Sequence, residues 1–150
     1  MANERAYTSR RSGITTALAN IIAKIDGRGL YYQAVAETSP RLKFWDEVEE
    51  YPAVHLNAGS ETRQYQTAGY KDRFLNVTVR CYVNQEDSVA ALDELLEDVE
   101  TVLEENGQLL YHDRNGLEQN THQITILSID TDEGVLDPLG VGEILIEVRY

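Results

Sequence analysis

Residues 74–83 alternate between apolar and mostly polar side chains, and this pattern constrains the fold more than any other feature of the chain. One face of the pattern consists of Leu75, Val77, Val79, Cys81 and Val83, and the other of Phe74, Asn76, Thr78, Arg80 and Tyr82. Successive side chains of a β-strand point to opposite faces, so this alternation predicts a strand with one buried side. An acidic segment with helical periodicity follows directly, and we expect this strand–helix unit to organise the fold.

Two segments repeat apolar residues at helical spacing, which predicts one helix over residues 9–26 and another over residues 88–105. The apolar stripe of the first consists of Ile14, Ala17, Leu18, Ile21, Ile22 and Ile25. The stripe of the second consists of Val89, Leu92, Leu95, Leu96, Val99, Val102 and Leu103. Asp87 or Ser88 is suited to cap the second helix, and Gly107 to end it. A single apolar stripe on each helix predicts that both pack against a sheet.

Weaker strand patterns surround these elements. Residues 53–57 form a short predicted strand, residues 124–129 a strand with a bulge, and residues 144–150 a terminal strand. The polar stretch 58–72 is predicted to be a long hairpin loop, and residues 28–51 allow no firm prediction.

Together these elements predict an α+β fold in a single domain spanning residues 1–150. The sheet is expected to be mostly antiparallel with about four strands, and the two helices are expected to pack on one face of it.

The charge of the chain limits its partners. The net charge is −13, and the acidic excess lies almost entirely after residue 50. Binding to nucleic acid needs many phosphate contacts from Lys and Arg, and anionic membranes need the same residues, so neither partner is predicted. No window approaches 18 apolar residues, and the first residues do not resemble a signal peptide, so we expect a soluble, intracellular protein.

The sequence contains no arrangement of residues typical of a catalytic or metal site. Its three histidines, His55, His112 and His122, lack metal-binding spacing, and Cys81 is the only cysteine. Residues 130–134 approach a calcium-loop pattern, but the glycine falls at the fifth position instead of the sixth. The sequence therefore predicts no catalytic residue, no metal and no cofactor.

The order of elements resembles that of the tail terminator proteins of long-tailed bacteriophages, also described as tail completion or head–tail joining proteins. The segments that carry the likeness are residues 14–25, 51–56, 74–83, 88–105 and 142–148. They represent the first helix, the strand before the polar stretch, the long strand, the acidic helix and the terminal strand. The resemblance covers most of the chain.

This resemblance implies a structural virion protein that is not an enzyme and is assembled in the host cytoplasm. Tail terminator proteins form a six-fold homo-oligomeric ring that caps the completed tail tube and stops its polymerisation at the head–tail junction. The implied partners are the tail tube protein and a head-side connector or neck protein, and DNA would pass through the ring without specific binding. Two alternatives remain open: another neck or head-closure ring protein, and a small α+β enzyme or ligand-binding domain with a pocket near Trp45.

Two sets of residues are candidates for protein interfaces. The first lies in or beside the polar stretch and consists of Arg63, Tyr65, Lys71 and Arg73, because Tyr and Arg commonly anchor interfaces. The second would join two subunits through opposite charges, and it consists of Arg5, Arg10 and Arg11 on one side and Glu94, Glu97 and Asp98 on the other. A head-to-tail contact of this kind closes into a ring when its rotation allows.

Overall fold

The structure is a computed structural model that describes residues 9–150, apart from the side chain of Trp45. Its elements in chain order are α1 (Arg10–Ile22), β1 (Glu37–Ser39), β2 (Ala53–Tyr65), β3 (Lys71–Asn84), α2 (Ser88–Glu105), β4 (Leu110–His112), β5 (Glu118–Asn120), β6 (Gln123–Thr131) and β7 (Leu139–Arg149), with short 3₁₀ turns at Trp45–Glu47 and Thr67–Gly69. The main sheet has the strand order β1-β2-β3-β7-β6, and β4 pairs with β5 in a separate hairpin. No helix in this part of the chain is both long and apolar enough to cross a membrane.

The predicted α+β class is confirmed, but the main sheet has five strands and not about four. The additional strand is β1, which pairs in parallel with the start of β2, while all other pairs in the sheet are antiparallel. A side-chain contact supports this edge, because Glu37 Oε2 lies 2.6 Å from His55 Nε2. Three polar residues carry no alternation of apolar and polar side chains, which explains why the sequence did not indicate this strand.

The hydrophobic core lies between one face of the sheet and the two helices, as predicted. The apolar side of β3 is fully buried, and the backbone register places Val79 between Leu56 of β2 and Ile144 of β7. On β7, a Cβ atom added at Gly142 would lie 3.2 Å from side-chain atoms of both Leu92 and Leu96. A glycine at this position therefore allows α2 to pack closely on the sheet.

The helix predictions hold with two local corrections. The residues of α2 agree with the predicted 88–105, and the Asp87 side chain caps the helix by accepting a hydrogen bond from the Ala90 N–H at 3.2 Å. Val89 does not belong to the buried stripe, because it is half exposed beside the turn at Gly134. The first helix ends at Ile22 and not at residue 26, although Ile25 remains buried in the turns that follow.

Residues 58–72 do not form the predicted long loop. The strands β2 and β3 continue to Tyr65 and Lys71 and are closed by a short turn, in which the Gln66 N–H donates to the Tyr70 carbonyl at 2.7 Å. Neither β1 nor β7 accompanies them this far, so residues 62–72 project beyond the sheet as a two-stranded arm. Both faces of this arm are polar and exposed, and its sequence therefore lacks the alternation that identifies a half-buried strand.

Both strands predicted in the second half of the chain are present, but β7 begins at Leu139 and not at residue 144, because the buried positions of its first part are the glycines Gly140 and Gly142, which give no apolar alternation. The register between β6 and β7 shifts between Ile126 and Ser128, which is the predicted bulge. The turn at Asn115-Gly116 connects β4 to β5. This small hairpin packs beside the first turn of α1, and its turn lines the candidate functional site.

Candidate functional site

An arginine-lined cleft of about 450 Å³ lies where the arm leaves the sheet. The five arginines that line it are Arg10, Arg11, Arg63, Arg73 and Arg114. They account for five of the 13 basic residues in a chain whose net charge is −13. Four of these five were predicted to be interface residues from the sequence, in two separate sets that the structure brings together.

Three parts of the fold supply these arginines. Arg10 and Arg11 belong to the first turn of α1, which Ser9 caps by accepting a hydrogen bond from the Ser12 N–H at 3.3 Å. Arg63 and Arg73 face each other across the base of the arm, as paired residues of β2 and β3. These four arginines therefore lie close together because of the β2–β3 register and the position of α1.

The fifth arginine comes from the turn between β4 and β5. A Cβ atom added at Gly13 of α1 would lie only 2.8 Å from the His112 carbonyl oxygen, so glycine allows α1 and β4 to approach closely. This contact brings Arg114 to the cleft. Asp113 stabilises the conformation of the turn, because its carboxylate accepts hydrogen bonds from the N–H groups of Asn115 at 2.9 Å and Leu117 at 3.1 Å.

Tyr150 forms a rigid wall of the cleft. It is only 7% exposed, its ring lies edge-on to Tyr111, and the Arg73 guanidinium lies 5.4 Å from its ring centroid. Its hydroxyl donates a hydrogen bond to Glu61. Burial, together with this bond to a carboxylate, raises the pKa of Tyr150 well above its ordinary value. The hydroxyl therefore remains a donor, which holds Glu61 in place.

Few carboxylates balance the cleft arginines. Glu61 pairs with Arg63, with 2.9 Å between Oε2 and Nε, whereas Arg11 donates to the carbonyl oxygen of Gly59. Partial burial alone would raise the pKa of Glu61, but the hydrogen bonds from Tyr150 and Arg63 hold it below its ordinary value. Within residues 9–150, Arg63 is the only cleft arginine that forms an ion pair. The cleft therefore carries a positive excess.

The lowered pKa of Glu61 predicts a specific contribution to acid stability. Because its folded-state pKa lies below the unfolded value, Glu61 stabilises the fold above about pH 4.5, and this stabilisation is lost as the pH falls through the folded-state pKa. Glu61→Gln should therefore reduce the acid-side slope of the unfolding free energy by up to about 1.4 kcal/mol per pH unit. Urea unfolding between pH 3 and 7 measures this slope. Glu104→Gln, at an exposed position, is the control, and equal slopes in both variants would contradict the prediction.

Two of the predicted arm residues lie outside the cleft. Tyr65 and Lys71 form the last residue pair of the arm, next to its closing turn. The side chains of Tyr65 and Tyr70 are 71% and 74% exposed. The sequence-predicted set thus divides into two arginines at the base of the arm and two residues near its tip.

The predicted acidic set on α2 is partly wrong. Glu97 is exposed as expected, and half-buried Glu94 accepts a hydrogen bond from the Gln33 side chain at 2.6 Å. Asp98 is only 1% exposed, because its carboxylate accepts the backbone N–H groups of Tyr32 and Gln33 at 2.7–3.1 Å. Burial raises the pKa of Asp98, while these backbone bonds oppose the increase. Asp98 therefore fixes the segment after α1 and is not available to a partner.

The sequence did not predict a role in the site for Glu61, Asp113, Arg114 or Tyr150. Arg114 is a single charge in a turn, and nothing in the sequence relates it to residues about 100 positions earlier. Of the predicted set, Arg5 lies outside the described residues.

Residues 8–150 match the family described as bacteriophage tail tube terminator protein. The chain belongs to this family. It is 30% identical to the tail tube terminator protein p142 of Escherichia phage T5 over 149 residues, which cover 93% of this chain and 92% of the relative. The resemblance inferred from the order of elements is confirmed, and the protein is a structural protein of a bacteriophage tail.

A solved structure shares the fold. A chain in the virion of the native gene transfer agent particle superimposes with a TM-score of 0.52, covering 94% of this chain and 93% of that one, at 8% identity. Such a low identity shows similarity of fold alone.

Family membership favours a structural role over the enzyme alternative. Within residues 9–150, no three His, Cys, Asp or Glu side chains are placed to hold a metal ion. The thiol of Cys81 is fully buried, and burial raises its pKa to about 12, so the cysteine is unreactive.

Proposed function

We propose that this terminator forms a six-membered ring on the end of the completed tail tube, stops tube polymerisation there, and presents its other side to the head-side connector. The observation that carries the proposal is the match to the tail tube terminator family over residues 8–150. A stop to polymerisation requires no bond chemistry. It requires a subunit that binds the last ring of the tube and offers no binding surface for another.

The arm is the structural feature best suited to bind the tube. Its strands pair only with each other beyond the sheet, and Tyr65 and Tyr70 expose most of their surface to solvent. Tyrosines combine a large apolar ring with a polar hydroxyl and are frequent anchors of protein interfaces. We therefore assign the arm tip, residues 65–71, to contact with the end of the tail tube.

The charge of the chain suits a ring through which DNA moves. A net charge of −13 opposes contacts with phosphates over most of the surface, so DNA is expected to pass without specific binding. The local exception is the arginine cleft, which carries a positive excess.

Two measurements test the proposed function. Native mass spectrometry over a concentration series, with negative-stain images of the same samples, should show hexamers and ring-shaped particles. In a separate assay, the terminator is added to polymerising tail tube protein, and the tube length is measured. Added terminator should shorten the tubes and appear at their ends. Rings that leave tube length unchanged would favour a neck or head-closure protein, and monomers that do not cap tubes would contradict the proposal.

A further inference from the structure

The arginine cleft carries more positive charge than its surroundings neutralise. Of its five arginines, Arg63 alone pairs with a carboxylate within the described part of the chain. Guanidinium groups do not lose their protons in proteins, so proton release does not relieve their mutual repulsion. A partner with negative charge would relieve this repulsion. Within residues 9–150 of the same subunit, the only carboxylates at the cleft are those of Glu61 and Asp113.

Helix α2 carries the opposite imbalance. We define its acidic face as Asp93, Glu97, Glu100, Glu104 and Glu105, all of which are exposed or half-exposed. The helix contains no Lys or Arg. The pairs Asp93/Glu97 and Glu100/Glu104 have the i,i+4 spacing at which like charges destabilise a helix. The acidic face therefore also gains from a partner of opposite charge.

The two surfaces do not neutralise each other within one subunit. No ion pair in residues 9–150 joins α2 to a cleft arginine. The sheet order explains this separation, because α1 packs against β1, β2 and β4, whereas α2 packs against β3, β7 and β6. Helix α1, with its cleft arginines Arg10 and Arg11, therefore packs on a different part of the sheet from α2.

We propose that the arginine cleft of one copy of this chain binds the acidic face of α2 on a second copy. The contact pairs guanidinium groups with carboxylates, the geometry in which charge-assisted hydrogen bonds are strongest. Each subunit uses the cleft on one side and α2 on the other, so the contact is head-to-tail and closes into a ring when the rotation allows. This inference rests on the proposed function, for which it supplies the contact between subunits.

Duplex DNA is the competing occupant of the cleft, because its phosphates are also anionic. Binding of duplex DNA depends on neutralising several phosphates along the helix. The eight basic residues outside the cleft are outnumbered by the 26 acidic residues of the chain. The observations therefore favour a short row of carboxylates over a continuous polyanion.

The test uses charge reversal on each surface separately. The cleft variant is Arg10→Glu with Arg114→Glu, and the face variant is Glu97→Arg with Glu104→Arg. Each variant alone brings like charges together, which should raise the protein concentration needed for assembly about a hundredfold. Arg28→Glu with Arg41→Glu changes the net charge as much as the cleft variant does, at exposed positions elsewhere, and should assemble like the wild type. Circular dichroism melts confirm that all variants are folded.

Restoration distinguishes a direct contact from a general charge effect. Mixing the cleft variant with the face variant, or combining all four substitutions in one chain, again places opposite charges together and should restore assembly. Native mass spectrometry and the tube-length assay measure assembly in solution and on the tube.

Normal assembly of both variants, or loss without restoration in the four-substitution chain, overturns the proposal while the terminator function stands. Binding of a short fluorescent DNA duplex by the wild type but not by the cleft variant, without restoration, assigns the cleft to nucleic acid instead. If the wild type neither forms rings nor caps tubes, the proposed function itself fails.

Discussion

Replacing Val79 by aspartate is expected to leave no folded protein at 25 °C. Val79 is fully buried at the middle of β3, and its neighbours in register, Leu56 and Ile144, are also fully buried. An unpaired charge at such a position costs several kcal/mol, and the burial of the valine side chain is lost as well. A domain of this size has about 5–15 kcal/mol of stability, so the change removes most or all of it.

The adjacent residue provides a matched control for this prediction. Thr78 lies on the opposite face of β3 and is half-exposed, so Thr78→Asp should change the unfolding free energy by about 1 kcal/mol or less. Soluble yield and thermal melts followed by circular dichroism compare the two variants. A melting temperature of Val79→Asp within a few degrees of the wild type would show that the core is not arranged as described.

Removing the two exposed tyrosines of the arm, by Tyr65→Ser with Tyr70→Ser, is expected to abolish tail joining without affecting the fold. Both rings are more than 70% exposed, so their loss removes little packing within the subunit. Interface tyrosines in central positions typically cost about 2 kcal/mol or more each when truncated. A ring that binds the tube through several arms multiplies this loss, so capping should fall below detection.

Complementation of a phage whose own terminator gene is inactivated, together with the tube-length assay, measures the effect of the arm variant. The control is Phe44→Ser, which removes an aromatic ring that is 75% exposed and belongs to the segment between β1 and β2, not to the arm, the cleft or α2. The control should support normal phage yield. Wild-type yield from the double arm variant would exclude the arm tip as the tube contact.

The arm and the two charged surfaces are proposed to bind different partners. The arm tip is assigned to the tube, and the arginine cleft at the arm base is assigned to the neighbouring subunit. Arg63 and Arg73 connect these surfaces, because Arg63 lies on the same strand as Tyr65, and Arg73 lies on β3, which begins directly after Tyr70. Contact with the tube and contact between subunits are therefore expected to reinforce each other.

Elements whose apolar pattern repeats over many residues are predictable from the amino-acid sequence alone. The alternation in 74–83 and the apolar stripe of 88–105 each contain at least five buried positions, and burial of one face requires that periodicity. The same reasoning located α1 and the bulge in β6. It also indicated the family, because the order of these elements is a property of the sequence.

Features that depend on contacts between distant segments are set by tertiary packing and have no local signal in the sequence. A polar three-residue strand, β1, and a doubly exposed arm have no periodic signal, since neither has a buried apolar face. The sequence places Asp98 among the polar residues of α2, but the segment carrying Tyr32 and Gln33 folds over it and buries its carboxylate. The arginine cleft requires α1, the arm and the β4–β5 turn to meet, and this meeting is set by strand register and by the close approach at Gly13. Local sequence encodes which face of an element is apolar, whereas the meeting of exposed charges is fixed by packing among elements far apart in the chain.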